Sequence, residues 1–308
     1  MPERFLVTGV LGCIGAWTAK LLLDEGVEVV GYDLGASHHR LELVGATGAT
    51  LLSGDVTDLA QIEAALDEHE ITHVVHLAAL QVPFCRADPV LGARVNVVGT
   101  VNVFEAVKRR RERIGRVVYT SSAAVYGAND AGGHDERPRP DTLYGVYKLA
   151  NEESARVFAA ETGLASIGLR PYVVYGPGRD QGLTSAPTFA MEAAARGEGF
   201  VLPYSGRSQL QYAPDVAAAF VAAARADATG ADVVNVPGTT ASAEDVVAAI
   251  ERAVPEVAGR IEVTGPPLPF PPELDAHRFA EVVGDVAVTP LEVGVAATVA
   301  HFRRVSGT

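Results

Sequence analysis

The sequence predicts an α/β protein in which a parallel sheet is covered by helices on both faces. Short β-branched segments alternate with helical patterns through the first half of the chain, and a glycine-rich turn joins the first strand to the first helix. Alternation of this kind is typical of βαβ units, whose strands run parallel. The chain has 308 residues, enough for one large α/β domain or for two lobes.

The predicted elements follow one another in a regular order. The strands of the first half are RFLVT (4–8), VEVVGY (27–32), THVVHLA (72–78) and RVVYTS (116–121), and the helices are CIGAWTAKLLLDE (13–25), DLAQIEAALDEH (58–69) and VLGARVNVVGTVNVFEAVKRR (90–110). Farther along, SIGLRPYVVYG (166–176) and DVVNV (232–236) predict strands, and DVAAAFVAAARA (215–226) predicts a helix between them. The amphipathic segment TPLEVGVAATVAHFRR (289–304) predicts a closing helix.

The composition changes after residue 175. Residues 176–189 are rich in Gly, Pro and Thr, and residues 264–275 form a proline cluster. We expect a smaller, loop-rich substrate-binding lobe over the C-terminal edge of the sheet, made of about 176–209 and 241–308. The dinucleotide-binding domain is then 1–175, with about 210–240 returning to it.

The composition also limits the classes of partner. A net charge of −13 argues against nucleic acid, because phosphate binding needs a concentrated positive field. No apolar stretch approaches the ~20 residues that cross a bilayer, and the N-terminus lacks the features of a signal peptide, so we expect a cytoplasmic protein with no membrane partner. Two cysteines are too few for a disulfide framework or a metal cluster, and we predict no metal site.

Gly9, Gly12 and Gly15 follow the first strand and open the first helix. This context favours a dinucleotide site, because glycines permit a tight turn and the helix N-terminus offers free N–H groups to a pyrophosphate. Asp33 ends the second strand, 18 residues after Gly15, where a carboxylate accepts hydrogen bonds from ribose hydroxyls and repels a 2′-phosphate. NAD is therefore favoured over NADP, although the basic segment 38–40 nearby leaves NADP use open.

Asp55 follows the third strand in the segment SGDVTD. Two interpretations stay open for it. The carboxylate either contacts the adenine edge of a dinucleotide or serves as a helix N-cap shared with Asp58.

Tyr144 and Lys148 carry the strongest indication of chemistry. Their four-residue spacing places both side chains on one face of a helix, and the chain has only three lysines. An ammonium near a phenol favours the phenolate, so we expect a lowered pKa for Tyr144 and a role as general base. Ser122, at the C-terminal end of a predicted parallel strand, is placed to bind the reacting oxygen.

Together, TGxxGxxG, Asp33, HLAAL, TSSAAVYG, YxxxK and RPYVVYGP resemble the extended short-chain dehydrogenase/reductases, the NAD-dependent epimerase/dehydratase group. The resemblance covers essentially the whole chain. It implies a Rossmann-type doubly wound domain that binds NAD, with Ser122, Tyr144 and Lys148 as the catalytic triad and Lys148 also on the nicotinamide ribose. It also implies a homodimer formed through helices at about 91–111 and 145–161.

The resemblance and the glycine loop together give a set of predicted cofactor contacts. Asn96 matches a residue that lies near the cofactor in the family, with a helix-surface amide as its alternative. The predicted contacts, besides Tyr144 and Lys148, are Gly9, Gly12, Cys13, Ile14, Gly15, Asp33, Asp55, Val56, Leu77, Ala78, Ala79 and Asn96.

Departures from the family pattern bear on the reaction. Dehydratases carry an Asp-Glu pair where this chain has Ala123 and Ala124, and the nucleotide-sugar relatives carry an Asn and an Arg where it has Val173 and Ser208. We therefore expect oxidation of a hydroxyl carbon of a small sugar, sugar acid or similar polyol by NAD. A nucleotide-sugar 4-epimerase with tightly bound NAD is the alternative, and a non-catalytic NAD-binding regulator is a third hypothesis.

Several polar residues are candidates for contact with that substrate. Arg86 and Arg179 are each suited by residue type to pair with a carboxylate. The full set of candidate substrate contacts is Gln81, Arg86, Ser122, Arg179 and Gln209.

Overall fold

The computed structural model describes residues 2–133 and 137–306. Outside the described residues lie Met1, residues 134–136 and residues 307–308, all of which belong to the predicted domains. A seven-stranded sheet forms its centre. The strands are β1 (Arg4–Thr8), β2 (Glu28–Asp33), β3 (Thr50–Ser53), β4 (His73–His76), β5 (Arg116–Thr120), β6 (Ala165–Arg170) and β10 (Ala231–Asn235). Their order is β10-β6-β5-β4-β1-β2-β3, and every pair is parallel.

Helices cover both faces of this sheet. They are α1 (Cys13–Asp24), α2 (His39–Val44), α3 (Leu59–Glu68), α4 (Val82–Ala87), α5 (Pro89–Ala93), α6 (Gly99–Lys108), α7 (Leu143–Thr162), α9 (Ala213–Arg225) and α11 (His277–Val283), with a π-helical turn at Arg94–Val98. Successive residues of a strand point to opposite faces. Phe5 and Val7 thus pack with α1 and α9, while Leu6 packs with α3 and α6 on the other side. The predicted α/β, Rossmann-type arrangement is confirmed.

A second group of elements lies beside the main sheet. Its three-stranded sheet contains β7 (Val173–Tyr175), β9 (Arg207–Tyr212) and β11 (Thr239–Ser242), and its two-stranded sheet contains β8 (Phe200–Leu202) and β12 (Ile261–Val263). The helices α8 (Ala186–Ala195), α10 (Ala243–Ala253) and α12 (Leu291–Ser306) share one apolar core with these strands. Short 3-10 turns lie at Ala123–Val125, Leu183–Ser185 and Pro255–Val257.

Two details of the predicted organisation are wrong. The segment 166–176 is not one strand: β6 ends at Arg170, and β7 begins at Val173 and pairs with β9 in the smaller sheet. Pro171 lies at the break, as expected for a residue that cannot donate to a ladder. The smaller lobe is also less loop-rich than predicted, because α8 begins inside the Gly/Pro/Thr segment. The division of the chain into two domains stays a prediction.

The segment Pro89–Lys108 is more apolar than the sequence analysis allowed. These 20 residues form one continuous helical rod of mean hydropathy 1.3, which by length and composition alone suffices to cross a membrane. Val103, Phe104 and Val107 are fully buried in the core formed with α3 and α7. The protein buries 44% of the apolar window of this rod.

Candidate active site

The glycine loop is shaped by close backbone approaches. Gly9 has φ +70°, and a Cβ there would lie 2.6 Å from the nitrogen of Ala78. A Cβ on Gly15 would overlap the carbonyl oxygen of Gly9. Gly12 precedes α1 in an extended conformation, and no side chain caps the helix. The first amides of α1, at Cys13 and Ile14, are therefore free to bind an anion, so this cleft fits a dinucleotide pyrophosphate.

Asp33 lies at the end of β2 beside this loop. Its Oδ2 accepts a hydrogen bond from the nitrogen of Leu11 at 3.0 Å, and its Oδ1 accepts one from Gly35 at 2.9 Å. Arg40, the residue that left NADP use open, is engaged elsewhere. It donates to the Leu11 carbonyl at 2.8 Å and pairs with Asp180 at 2.6 Å.

The structure excludes one of the two interpretations of Asp55, the shared helix N-cap. Asp58 alone caps α3, accepting from the nitrogens of Ala60 and Gln61. The Asp55 carboxylate instead accepts a hydrogen bond from Thr57 at 2.8 Å, so the shared N-cap is wrong. The adjacent Val56 is buried, and a Cβ on Gly99 would lie 2.7 Å from its side chain.

Asn96 supports the loop that follows β4. It is fully buried within the π-helical turn, so its alternative as a helix-surface amide is wrong. Its Oδ1 accepts from the nitrogen of Leu80 at 2.9 Å, and its Nδ2 donates to the Leu80 carbonyl at 3.0 Å. Thr8 holds the start of the same loop, since its hydroxyl accepts from the nitrogens of Leu77 and Ala78 at 3.2 and 3.3 Å. Ala79 lies between these two fixed points.

Ser122, Tyr144 and Lys148 come together at the C-terminal end of β5. The Ser122 hydroxyl, which accepts a hydrogen bond from the nitrogen of Ala124 at 3.1 Å, lies beside the Tyr144 phenol and lowers its pKa. Lys148 lies one turn farther along α7, and its Nζ donates to the carbonyl of Thr120 at 2.8 Å. Gly145 allows this approach, because a Cβ there would overlap the carbonyl oxygen of Ala124.

The expected lowering of the Tyr144 pKa is wrong for the protein as described. Burial raises the pKa of Tyr144, and the Ser122 hydroxyl and the charge of Arg179 only partly oppose that rise. Burial also lowers the pKa of Lys148 to about 7. Its Nζ lies 5.6 Å from the centroid of the Tyr144 ring. For both Tyr144 and Lys148, therefore, removal from water has a larger effect on the pKa than the neighbouring side chain has.

A buried ion pair that the sequence analysis missed lies directly behind the triad. Arg170 donates to the two Glu152 carboxylate oxygens at 2.8 and 2.7 Å, and the Ser121 hydroxyl donates to the same carboxylate. Tyr126 accepts a further hydrogen bond from Arg170 at 2.7 Å. Glu152 lies four residues after Lys148 on α7, a spacing that was readable in the sequence. The pair fixes α7 to the ends of β5 and β6.

His76 and Asn151 were also missed. His76 hydrogen-bonds Thr8 at 2.7 Å and Thr100 at 3.1 Å, and burial lowers its pKa to about 3, so the ring is neutral. Asn151 donates to the Asn96 carbonyl at 2.9 Å. The signal for His76 was a polar side chain inside the otherwise apolar segment VVHLAAL, whereas Asn151 stands in a polar stretch, NEES, that gave no such signal.

The structure brings two of the candidate substrate residues, Gln81 and Arg179, close to Tyr144. Arg179 donates to Gln81 at 3.5 Å, and its charge acts on Tyr144, so these three lie together. Gln209 is buried on β9. Arg86 is exposed on the last turn of α4, and no contact places it with the others.

The fold and the cleft define a class: Rossmann-type α/β proteins with a glycine loop and a Ser/Tyr/Lys group at the strand ends. Residues 5–236 match the model of the NAD-dependent epimerase/dehydratase family. The chain belongs to this family, which confirms the predicted resemblance.

Individual relatives have the same fold. UDP-glucuronate 4-epimerase 2 of Arabidopsis thaliana is 33% identical over 183 residues, which are 56% of this chain and 42% of that protein, so the chain matches less than half of its relative. The structure of UDP-glucose 4-epimerase from Thermus thermophilus with NAD is 29% identical, with a TM-score of 0.80 and coverage of 98% and 99%. That of UDP-glucose 4-epimerase from Thermotoga maritima with UDP-glucose has a TM-score of 0.86 at 24% identity, with coverage of 99% and 100%.

Proposed function

We propose that the protein is an NAD-dependent dehydrogenase that oxidises a hydroxyl carbon of a small sugar, sugar acid or similar polyol. The observation that carries this proposal is the position of Ser122 beside the Tyr144 phenol, one helical turn from buried Lys148 and next to the glycine-loop cleft. Family membership and the NAD complex of the Thermus thermophilus relative support the cofactor.

Each residue of the triad has a separate task in this reaction. Bound NAD would accept the hydride from the substrate carbon. Tyr144, as phenolate, takes the hydroxyl proton while Ser122 hydrogen-bonds the same oxygen. Because burial raises the Tyr144 pKa, the phenolate needs positive charge nearby, which Arg179 supplies. The Lys148 amine, 5.6 Å from the centroid of the ring, adds to it when protonated. Thr120 fixes the lysine for this task.

The positions that correspond to diphosphate contacts in the resemblance favour a smaller substrate. Val173 is fully buried in the apolar core of the smaller lobe and has no polar group to offer. Ser208 is uncharged, and the neighbouring Arg207 is exposed. The relatives that are UDP-sugar 4-epimerases favour the alternative, a nucleotide-sugar 4-epimerase that retains NAD.

Exposed apolar residues on the helical rod and on α7 support a homodimer. They are Val90, Leu91, Val98, Leu143, Val146 and Val157. Apolar surface of this kind is typical of an interface between subunits.

We further propose a cytoplasmic protein that binds neither membrane nor nucleic acid. The net charge supports the latter, as does the pairing of Arg109 and Arg110 with Glu63 and Asp67.

The test is a substrate screen with purified protein and NAD. Free sugars, aldonates, uronates, polyols and nucleotide sugars are each incubated with NAD, and NADH is followed by absorbance while nucleotide sugars are separated by chromatography. Accumulation of NADH with a free sugar, acid or polyol supports the dehydrogenase. Interconversion of nucleotide sugars without net NADH contradicts it in favour of the epimerase, and Tyr144→Phe serves as the matched inactive control.

A further inference from the structure

Three buried polar atoms near the candidate site have no hydrogen-bond partner among residues 2–133 and 137–306. They are Nε of Arg179, the hydroxyl oxygen of Tyr204 and Oε1 of Gln209. Tyr204 and Gln209 are each only 4% exposed. A buried polar atom without a partner is destabilising, so these three atoms favour a ligand that supplies the missing hydrogen bonds.

Arg179 carries a positive charge that no carboxylate of the described chain neutralises by direct pairing. Its Nη1 donates to Gln81 at 3.5 Å and its Nη2 donates to Thr184 at 3.0 Å, and both acceptors are neutral. The adjacent carboxylate, Asp180, pairs with Arg40 instead. A partly buried guanidinium with only neutral partners favours an anionic ligand.

The same guanidinium lies close to two phenols. Its charge lowers the pKa of Tyr144 on the catalytic side and that of Tyr204 on the side of the smaller lobe, against the larger effect of burial. An anion bound to Arg179 would therefore lie between the general base and the smaller lobe.

Gln209 adjoins Tyr204 through Tyr172. The Tyr204 hydroxyl acts electrostatically on Tyr172, and the nitrogen of Tyr172 donates to Oε1 of Gln211 at 2.7 Å. Gln209 and Gln211 are two residues apart on β9, so their side chains lie on the same face of that strand. Gln209 thus lies on the face of β9 that carries Gln211, the partner of the Tyr172 nitrogen.

We infer that Arg179, Tyr204 and Gln209 form a carboxylate subsite, and that the substrate is a free sugar acid, an aldonate or a uronate. This inference rests on the proposed function. Arg179 binds the carboxylate with charge-assisted hydrogen bonds, Tyr204 donates to one of its oxygens, and Oε1 of Gln209 accepts from a neighbouring hydroxyl. The reaction that supplies this substrate is accordingly one that releases a free sugar acid.

The test compares acids with neutral partners of the same skeleton: gluconate with glucitol, and glucuronate with glucose. For the wild type we expect a KM at least about tenfold lower for the acid of the active pair, since a hydrogen bond to a charged group contributes about 1.5–3 kcal/mol. Arg179→Gln should raise the KM for the acid about 10- to 100-fold and leave the KM values for NAD and for the neutral partner within about twofold. Because the charge of Arg179 also acts on Tyr144, kcat should fall by the same factor with the acid and with the neutral partner, so the KM is the constant that reports the subsite.

Two control variants test whether the change in KM for the acid is specific to Arg179. Arg196→Gln removes an exposed arginine of the same lobe, paired with Glu192 and Glu198, and should change none of the constants. Arg86→Gln tests the other arginine that the sequence suggested. A raised KM for the acid in Arg86→Gln, with Arg179→Gln unaffected, overturns the inference.

A further outcome overturns it in a different way. Arg179 also acts on Cys13 of the glycine loop, so its partner is alternatively the pyrophosphate of the cofactor. An increase in the KM for NAD in Arg179→Gln, equal with acid and neutral substrates, assigns Arg179 to the cofactor. Tyr204→Phe and Gln209→Leu should each raise the KM for the acid while leaving that for NAD unchanged, and no change in either variant contradicts the subsite.

A binding measurement separates this inference from the proposed function. The thermal stabilisation of the NAD-loaded protein by glucuronate and by gluconate is measured for the wild type and for Arg179→Gln. Stabilisation that is lost in the variant supports the subsite even if no NADH forms with any compound. NADH production from neutral sugars with no stabilisation by either acid supports the dehydrogenase and overturns the subsite.

Discussion

The Nζ of Lys148 lies 5.6 Å from the centroid of the Tyr144 ring, on the same face of α7. A hydrogen bond to the Thr120 carbonyl at the end of β5 holds the amine there. This hydrogen bond joins a strand of the central sheet to the helix that carries Tyr144, the proposed general base. Lys148 is 2% exposed, so burial and not the phenol controls its ionisation.

Tyr144→Phe should reduce turnover by about 10²–10⁴-fold, the range of general acid–base catalysis. The variant loses the hydroxyl beside Ser122 and keeps the ring that packs against Lys148. Its affinity for NAD, measured by fluorescence titration, should stay close to that of the wild type. Full activity of the variant would refute Tyr144 as the base.

Lys148→Met should change the dependence of stability on pH. The pKa of Lys148 is lowered from 10.5 to about 7, so between these pH values the folded state binds fewer protons than the unfolded state, and stability from this group rises with pH. Below pH 7 the full cost of the buried charge is present. The free energy of unfolding of the wild type, minus that of the variant, should increase toward high pH by up to about 1.4 kcal/mol per pH unit.

Urea denaturation from about pH 6 to about pH 10, which spans most of the interval between the two pKa values, measures this difference. Lys20→Met is the matched control, because Lys20 lies at the surface and pairs with Asp24. A difference between wild type and Lys148→Met that is constant over this range would show that the buried amine is not neutral in the folded protein.

Glu152→Gln should destabilise the fold by about 3–5 kcal/mol, because it leaves the buried Arg170 without its carboxylate. The control is Glu153→Gln, one residue along α7, which removes an exposed pair with Arg156 and should cost less than about 1 kcal/mol. The midpoints of urea unfolding compare the two variants. Equal midpoints would mean that the Glu152–Arg170 pair does not hold α7 against the sheet.

Asp33→Ala should weaken the preference for NAD over NADP, since the variant lacks the carboxylate at the end of β2. The single change should raise NADP use only modestly, because Asp180 holds Arg40. The double variant Asp33→Ala, Asp180→Ala releases this guanidinium and should raise NADP use further. The ratio of kcat/KM for the two cofactors is the measurement, and an unchanged ratio in both variants would show that Asp33 does not contact the ribose.

Local patterns in the sequence were enough to predict much of the fold. Alternating β-branched and helical segments predicted the main strands and helices, and three-residue glycine spacing predicted the turn at Gly9. These features depend on backbone sterics and side-chain periodicity, which act over a few residues. The i, i+4 spacing of Tyr144 and Lys148 is of the same kind, because one helical turn brings them to one face.

Contacts between distant segments were not predictable in this way. Arg170 and Glu152 meet across two elements, and the break at Pro171 sends β7 into another sheet, which no local pattern indicated. The ionisation of Tyr144 was wrongly predicted for the same reason: spacing alone does not reveal how far folding removes a side chain from water.

The sequence by itself determined the family, the glycine loop and the residue types of the triad. Only the tertiary structure decided which arginine faces the base, and that burial opposes ionisation of both Tyr144 and Lys148. The physical reason is that periodicity is a property of neighbouring residues, whereas desolvation and charge pairing depend on every segment that packs around a group.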